Sequence, residues 1–492
     1  MAKINRVSMK KADCSLDLGD GSERGLYVNQ DYILQKMRTL HRGISLMYTY
    51  YPKDKGWPER ASVAFPQKTP SGAWDYPYED YFPYRGGIEG LRDDEPFKFM
   101  KEIRAHGQDV ILTMTMDPTL SDEYIIAVAR DLRPYGRLLL RINHECTGTW
   151  FCYGKRASYQ EVADFFVRCC RIFHKHAPNV KLILCAGMWD ESTGKIEMED
   201  VFMEAFRETD YWSGDQYISL HWGWPSDVAL KGGSTFSCYD VDSVYEKAKN
   251  TWKRLCTVTG MKKPMLLSEL NADGDVNGPY EQAKLIRHFM ERLQKDDEKW
   301  LSGFTLYQFR DDGRLGLEVT DPNNSEVGIE QPLLSVYRDE LHKPFFTRKF
   351  TSGEDLSLPC RIRWGNADDS DGLEMNVHLN GNPHFAEIYF DSPELIDLNL
   401  TVEFGGYWFY KKPGVKCIDM MSLFFEKPLE GPADLKLRIF APPPDGMNRP
   451  DNMDPYEAAD GDWMENYWTE IKALPRIRIE EEPVKTVGNY AD

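Results

Sequence analysis

Two glutamates stand where they could do acid–base and nucleophilic work. Glu145 closes the run Arg141, Ile142, Asn143, His144, Glu145, which continues an apolar stretch beginning at Leu138; Glu269 follows Leu267 and Ser268 at the end of another apolar stretch. One carboxyl group can protonate a leaving oxygen and then activate water, while a second carboxylate attacks the carbon that oxygen leaves. At the carboxyl ends of two parallel barrel strands both would face one pocket. That is the arrangement a retaining glycosidase needs, and it implies carboxyl groups about 5–5.5 Å apart. Arg141, Asn143 and His144 could hold one carboxylate or a sugar by hydrogen bonds, and the charge of Arg141 favours an ionised carboxylate beside it.

The elements that must position these residues are legible as short apolar runs alternating with helical periodicity from about residue 30 to residue 310. The runs expected as strands are Ile44–Tyr50, Val110–Thr115, Leu138–Asn143, Lys181–Cys185, Tyr217–His221, Pro264–Ser268 and Gly303–Tyr307; the remaining strand is either Cys14–Leu18 or Ala61–Phe65. Ser158 with Glu161 forms a capping box before Val162, Phe165, Phe166, Cys169, Ile172 and Phe173 at helical spacing. Asp242 or Ser243 can cap a helix ending before Gly260, and Pro279 suits the first turn of another. Eight such units make a (β/α)8 TIM barrel over residues 1–345. After Phe346 the helical period gives way to strand-like runs such as Cys360–Trp364, Leu398–Phe404 and Leu435–Ile439, so residues 346–492 read as a smaller C-terminal β-sandwich with an extended tail.

Arg141, His144, Glu145, Gly148, Trp150 and Phe151 resemble the acid/base motif of glycoside hydrolase family 26, R-x-x-H-E-x-x-G-x-W-F, and Ser268-Glu269 resembles that family's nucleophile pair on the seventh barrel strand. The resemblance implies a clan A barrel with Glu145 as proton donor after strand four and Glu269 as nucleophile on strand seven. It is tight only around the two glutamates. Asn143, and Cys146-Thr147 after the acid, depart from the family pattern.

Sugars present flat apolar faces edged with hydroxyls, so a glycan site calls for aromatic platforms with a few hydrogen-bonding groups. Trp150, Trp189, His221, Trp222 and Tyr307 all follow expected strands and are assigned to substrate. The segment Tyr51–Leu91 has no helical period but contains Trp57, Trp74, Tyr76, Tyr78, Tyr81, Phe82 and Tyr84, which suits one wall of a cleft. In the C-terminal part, Trp364 and the run Tyr407 to Tyr410 read mainly as core.

Other function classes lack support. The net charge of −19, with no cluster of Lys and Arg, opposes nucleic-acid binding. No apolar run is long enough to span a membrane, and the amino-terminal residues lack the apolar centre of a signal peptide. The ten cysteines show no Cys-x-x-Cys and read as buried free thiols. Acidic pairs such as Asp190-Glu191, Asp273/Asp275 and Asp311-Asp312 lack a recurring metal-ligand spacing, so no metal and no cofactor is expected. The reading is an endo-acting β-glycoside hydrolase on mannan, xylan or mixed-linkage glucan, with an exo-acting oligosaccharide hydrolase and a non-catalytic carbohydrate-binding barrel as the rivals.

Overall fold

The computed structural model describes residues 3–19, 28–59, 82–148, 151–222, 235–311, 315–450, 452–458 and 461–481. Eight parallel strands close into a barrel: Ser15–Gly19, Gly43–Tyr50, Asp109–Met116, Leu138–Ile142, Val180–Cys185, Tyr211–Tyr217, Met265–Asn271 and Leu301–Leu306. The first strand pairs with the eighth on one side and the second on the other, which shuts the cylinder. Of the two candidates for the unplaced strand, the one at Cys14–Leu18 is therefore used; Ala61–Phe65 lies outside the described residues, as does most of the long aromatic segment. Trp57 and Tyr84 from the ends of that segment pack edge-on around Tyr50 in the barrel core.

The sixth strand corrects the sequence expectation. It runs Tyr211–Tyr217, while Ser219–Trp222 leaves the barrel and pairs antiparallel with Thr235–Cys238. The strand was hard to see because its middle, Ser213, Gly214 and Asp215, is polar or lacks a side chain. Packing accounts for the glycine: a Cβ on Gly214 would stand 2.2 Å from the sulfur of Met188.

The crossover helices follow their local chemistry. Ser158 and Glu161 form the reciprocal capping box that starts Tyr159–His176, whose Val162, Phe165, Phe166, Cys169 and Phe173 are buried. Helix Val241–Thr259 is capped by Asp240, which accepts from the Ser243 amide, two or three residues earlier than the expected Asp242 or Ser243; Gly260 ends it in the left-handed region. Pro279 opens Pro279–Lys295 as expected. Among the described residues no helix is long and apolar enough to cross a membrane.

The remaining strands form antiparallel sheets with a core of their own around Leu373, Val402, Phe404, Leu437 and Ile439. The first strand of the chain, Asn5–Lys10, lies in the larger sheet between Lys349–Asp355 and Asp369–Leu379. The sheet covers the amino-terminal face of the barrel, opposite the strand ends that carry Glu145 and Glu269. Trp364 packs on Gly107, whose φ of +78° and lack of a Cβ admit the indole. Arg137, just before the fourth barrel strand, donates from Nε to Asp109 at 2.8 Å and from Nη1 to Asp368 in the sheet at 2.8 Å. Asp109 also accepts from the Ala367 amide. Burial disfavours the charge on Asp368, but Arg137 and Arg42 outweigh it and hold the carboxyl below its ordinary pKa.

Breaking a buried ion pair from one side leaves an uncompensated charge. Arg137→Met strands Asp368 at this junction, so the free energy of unfolding in urea is expected to fall by about 3–5 kcal/mol. A variant as stable as wild type would show that the ion pair does not tie the sheet to the barrel.

Candidate functional site

The site is organised by a guanidinium inside the carboxyl end of the barrel. Arg141 lies on the fourth strand with its side chain pointing inward, 1% exposed. Its Nε donates to Thr113 Oγ1 on strand three at 2.8 Å, its Nη1 to both oxygens of Asp215 on strand six at 2.8 and 2.9 Å, and its Nη2 to Glu269 Oε1 on strand seven at 2.7 Å. A planar fork of donors meets partners in three directions in a way a lysine ammonium would not.

Glu269 reaches this position through an irregularity in the sheet. Strands six and seven pair Gly214 with Leu267 and then Asp215 with Glu269, which leaves Ser268 as an extra residue on strand seven. Such a bulge re-aims the side chains beyond it. Ser268 Oγ is 2.5 Å from Ser213 Oγ, so the extra residue keeps a polar partner inside the barrel. The second oxygen of Glu269 accepts from the Tyr217 hydroxyl at 2.6 Å. Both oxygens are thus oriented by donors, and the carboxylate cannot swing.

Glu145 lies on the turn that follows strand four. Asn143 and Glu145 both occupy the left-handed region, at φ 47° and 50°, a conformation that costs on the order of 1–3 kcal/mol for a side-chain-bearing residue unless its surroundings impose it. Asn143 Oδ1 accepts from the Met116 amide at 2.7 Å and its Nδ2 donates to the Met116 carbonyl at 3.1 Å. Beyond Glu145, the Cys146 amide donates to the Cys185 carbonyl at the end of strand five, and the Tyr153 hydroxyl donates to the His144 carbonyl.

The electrostatics follow from burial. Burial, then the charge of Arg141, holds His144 well below its ordinary pKa, so its ring is neutral; it lies against Phe151 with Nε2 3.9 Å from Glu269. Asp215 is pushed well above the ordinary carboxylate range, first by burial and then by Glu269 and Glu145, against the pull of Arg141. One guanidinium serves a group with more carboxyls than it can neutralise, which favours retention of a proton there.

A cleft of about 1150 Å³ opens over this group, with Glu145, Asp215, Tyr217, Trp189, Glu197 and Tyr239 among its lining residues. Tyr239 is 55% exposed, an aromatic face available at the rim. The structure therefore brings together Glu145, Glu269, Arg141 and His144, with Trp189 in the cleft wall. Tyr307 stands edge-on to Tyr217 at 6.3 Å, beside the group. Asn143 is 2% exposed and its amide is committed to Met116, so it braces the turn instead of facing the cleft. His221 lies on the hairpin after strand six, where its amide and Nδ1 both meet Asp273. Trp150 and the side chain of Trp222 fall outside the described residues. Sequence reading did not find Thr113, Asp215, Tyr217 or Tyr239. Asp215 and Tyr217, two residues apart and hence on one face of a strand, would have been visible had strand six been placed correctly.

Two groups among the described residues bring possible metal ligands within 4.8 Å of one another: His144, Glu145 and Asp215, and His221, Asp273 and Asp275. In the first, both oxygens of Asp215 already meet the Arg141 cation. In the second, one Asp273 oxygen caps the turn at Asp275 and Val276 and the other meets His221.

Scans against protein-family models and curated proteins find no match for the chain. Among solved structures it is similar to a GH26 beta-mannanase from Bacteroides ovatus, at 13% identity and a TM-score of 0.41, covering 68% of this chain and 90% of that one. It is also similar to a monomeric beta-xylosidase from Caulobacter crescentus CB15, at 11% identity and a TM-score of 0.44, covering 89% of this chain and 98% of that one. A third similar structure is an endo-beta-1,4-mannanase double mutant from Cellulomonas fimi, at 10% identity and a TM-score of 0.42, covering 86% of this chain and 93% of that one.

Proposed function

We propose that the chain is a retaining, endo-acting β-glycoside hydrolase with Glu145 as acid/base and Glu269 as nucleophile. The observation that carries this reading is the fixing of Glu269 by Arg141 and Tyr217 at the mouth of the barrel, in one group with Glu145 and under one cleft. In the first step the Glu145 proton passes to the glycosidic oxygen, the bond from that oxygen to the anomeric carbon breaks, and a Glu269 oxygen bonds to the carbon. In the second, Glu145 takes a proton from water, the water oxygen bonds to the same carbon, and Glu269 is released as a carboxylate. Arg141 and Tyr217 orient the attacking oxygen, and no cofactor is needed for either step.

The cleft, at about 1150 Å³, has room for a sugar chain. Half-buried Trp189 and exposed Tyr239 offer faces for sugar rings. The substrates proposed are β-linked mannan, xylan or mixed-linkage glucan.

Release of reducing ends from a panel of these polymers tests the reading, with the configuration of the first-formed product followed by NMR. Net retention is expected, and Glu269→Ala is expected to lower turnover by on the order of 10³-fold or more. Inversion, or undiminished activity in Glu269→Ala, would remove Glu269 as nucleophile.

A pH profile tests the coupling of Asp215 to this pair. The negative charge of neighbouring carboxylates is one reason a proton is held in the group. Burial and those neighbours hold the proton on Asp215 itself, so Asp215→Asn, neutral at every pH, removes the loss of activity that its ionisation causes and the alkaline limb of kcat/KM should move to higher pH. A limb that stays in place would mean that the catalytic acid titrates independently of Asp215.

A further inference from the structure

We propose that Asn143 is a positioning residue for proton donation, a role that rests on the reading of Glu145 as the acid. Parallel pairing between strands three and four ends at Met114 with Ile142, and the Asn143 amide then donates to the Met114 carbonyl. From there the chain turns away from the sheet to present Glu145, while strand three continues to Met116. The departure would leave the Met116 N–H and C=O without a ladder partner inside the barrel. The carboxamide of Asn143 supplies both: its oxygen accepts from the Met116 amide and its nitrogen donates to the Met116 carbonyl. A side-chain amide thus takes the place of the missing peptide group.

This substitution fixes where the turn starts. Asn also adopts the left-handed conformation more readily than most residues, as φ 47° at this position requires. On the far side of Glu145 the chain is held to strand five through Cys146 and Cys185. Glu145 is therefore slung between strands three and five, with the Tyr153 hydroxyl holding the His144 carbonyl between them, and the attachment to Met116 is made by a side chain. Loss of the carboxamide leaves the Asn143 amide on Met114 but removes the brace to Met116, which loosens the amino-terminal end of the turn and displaces the acid from the leaving oxygen. It leaves the nucleophile's partners in place, because Glu269 is set by Arg141, within the paired part of strand four, and by Tyr217 on strand six.

The dependence on leaving group separates these effects. A dinitrophenolate leaves without protonation, whereas a phenolate or a sugar hydroxyl needs the acid. Asn143→Gly, which tolerates the backbone angle, and Asn143→Asp, which keeps the acceptor and loses the donor, are compared with wild type and Glu145→Ala. The substrates are dinitrophenyl and phenyl β-mannobiosides, β-xylobiosides and β-cellobiosides, with folding checked by circular dichroism. A small misplacement of a catalytic group can cost about 100-fold, and a loss of that size in kcat/KM is expected for Asn143→Gly on the phenyl glycoside. On its dinitrophenyl counterpart the expected loss is within about 3-fold. Asn143→Asp should lie between Asn143→Gly and wild type.

Equal losses on both leaving groups, or wild-type rates on both, overturn the assignment for Asn143 while leaving Glu145 in place. If Glu145→Ala itself lacks the split, or wild type cleaves none of the six glycosides, the glycosidase reading falls and this role falls with it.

Discussion

A single buried positive charge sets the constraint on which the site is built. A guanidinium placed inside a barrel loses its hydration and is tolerated only with several charge-assisted partners. Arg141 obtains them from Thr113, Asp215 and Glu269, on strands three, six and seven. Satisfying one side chain therefore fixes the relative placement of four strands at the end where the pocket opens. The carboxylates in turn are tolerated in the barrel because the cation is there, so neither sign of charge could be removed alone without leaving the other buried and unmatched.

That constraint explains features that otherwise look like defects in the sheet. The bulge at Ser268 brings Glu269 opposite Asp215, so that both can reach the same guanidinium. Gly214, with no Cβ, leaves Met188 room to pack behind the strand. The left-handed residues Asn143 and Glu145 let the chain leave strand four one residue after its last barrel pairing. The bulge and Gly214 lie midway along their strands, and the two left-handed residues lie just beyond strand four.

The opposite end of the barrel solves a different problem. Its strand starts carry Asp17, Arg42, Asp109 and Arg137, charges that would ordinarily face water, and the antiparallel sheet closes over them with Asp368 and Trp364. The sheet buries its aromatic residues against the barrel: Trp364 and Trp408 pack with Phe440, Val7 and Met9. Those aromatics serve as a foundation, while Trp189 and Tyr239 line the cleft at the other end. Strand Asn5–Lys10, which precedes the barrel, lies in this sheet beside strands that follow the barrel, so the two layers are joined on both sides of the barrel in the chain.

What could be read in the sequence follows from the same division. Strands such as Leu138–Ile142 and Asp109–Met116 announce themselves because they are buried on both faces and nearly continuous in apolar residues. Their positions, and those of Glu145 and Glu269 beside them, were therefore legible. Strand six was misplaced because its inward residues answer to Arg141 and not to an apolar core, so the apolar signal moved to the hairpin that follows it. Asp215 and Tyr217 were lost with it, and Asn143 was given to the substrate because nothing in a linear pattern shows that its carboxamide faces the backbone of Met116. The strand whose inward face is most polar was thus the least recognisable as a strand, and its failure to fit the apolar pattern was the trace of the charges gathered around Arg141.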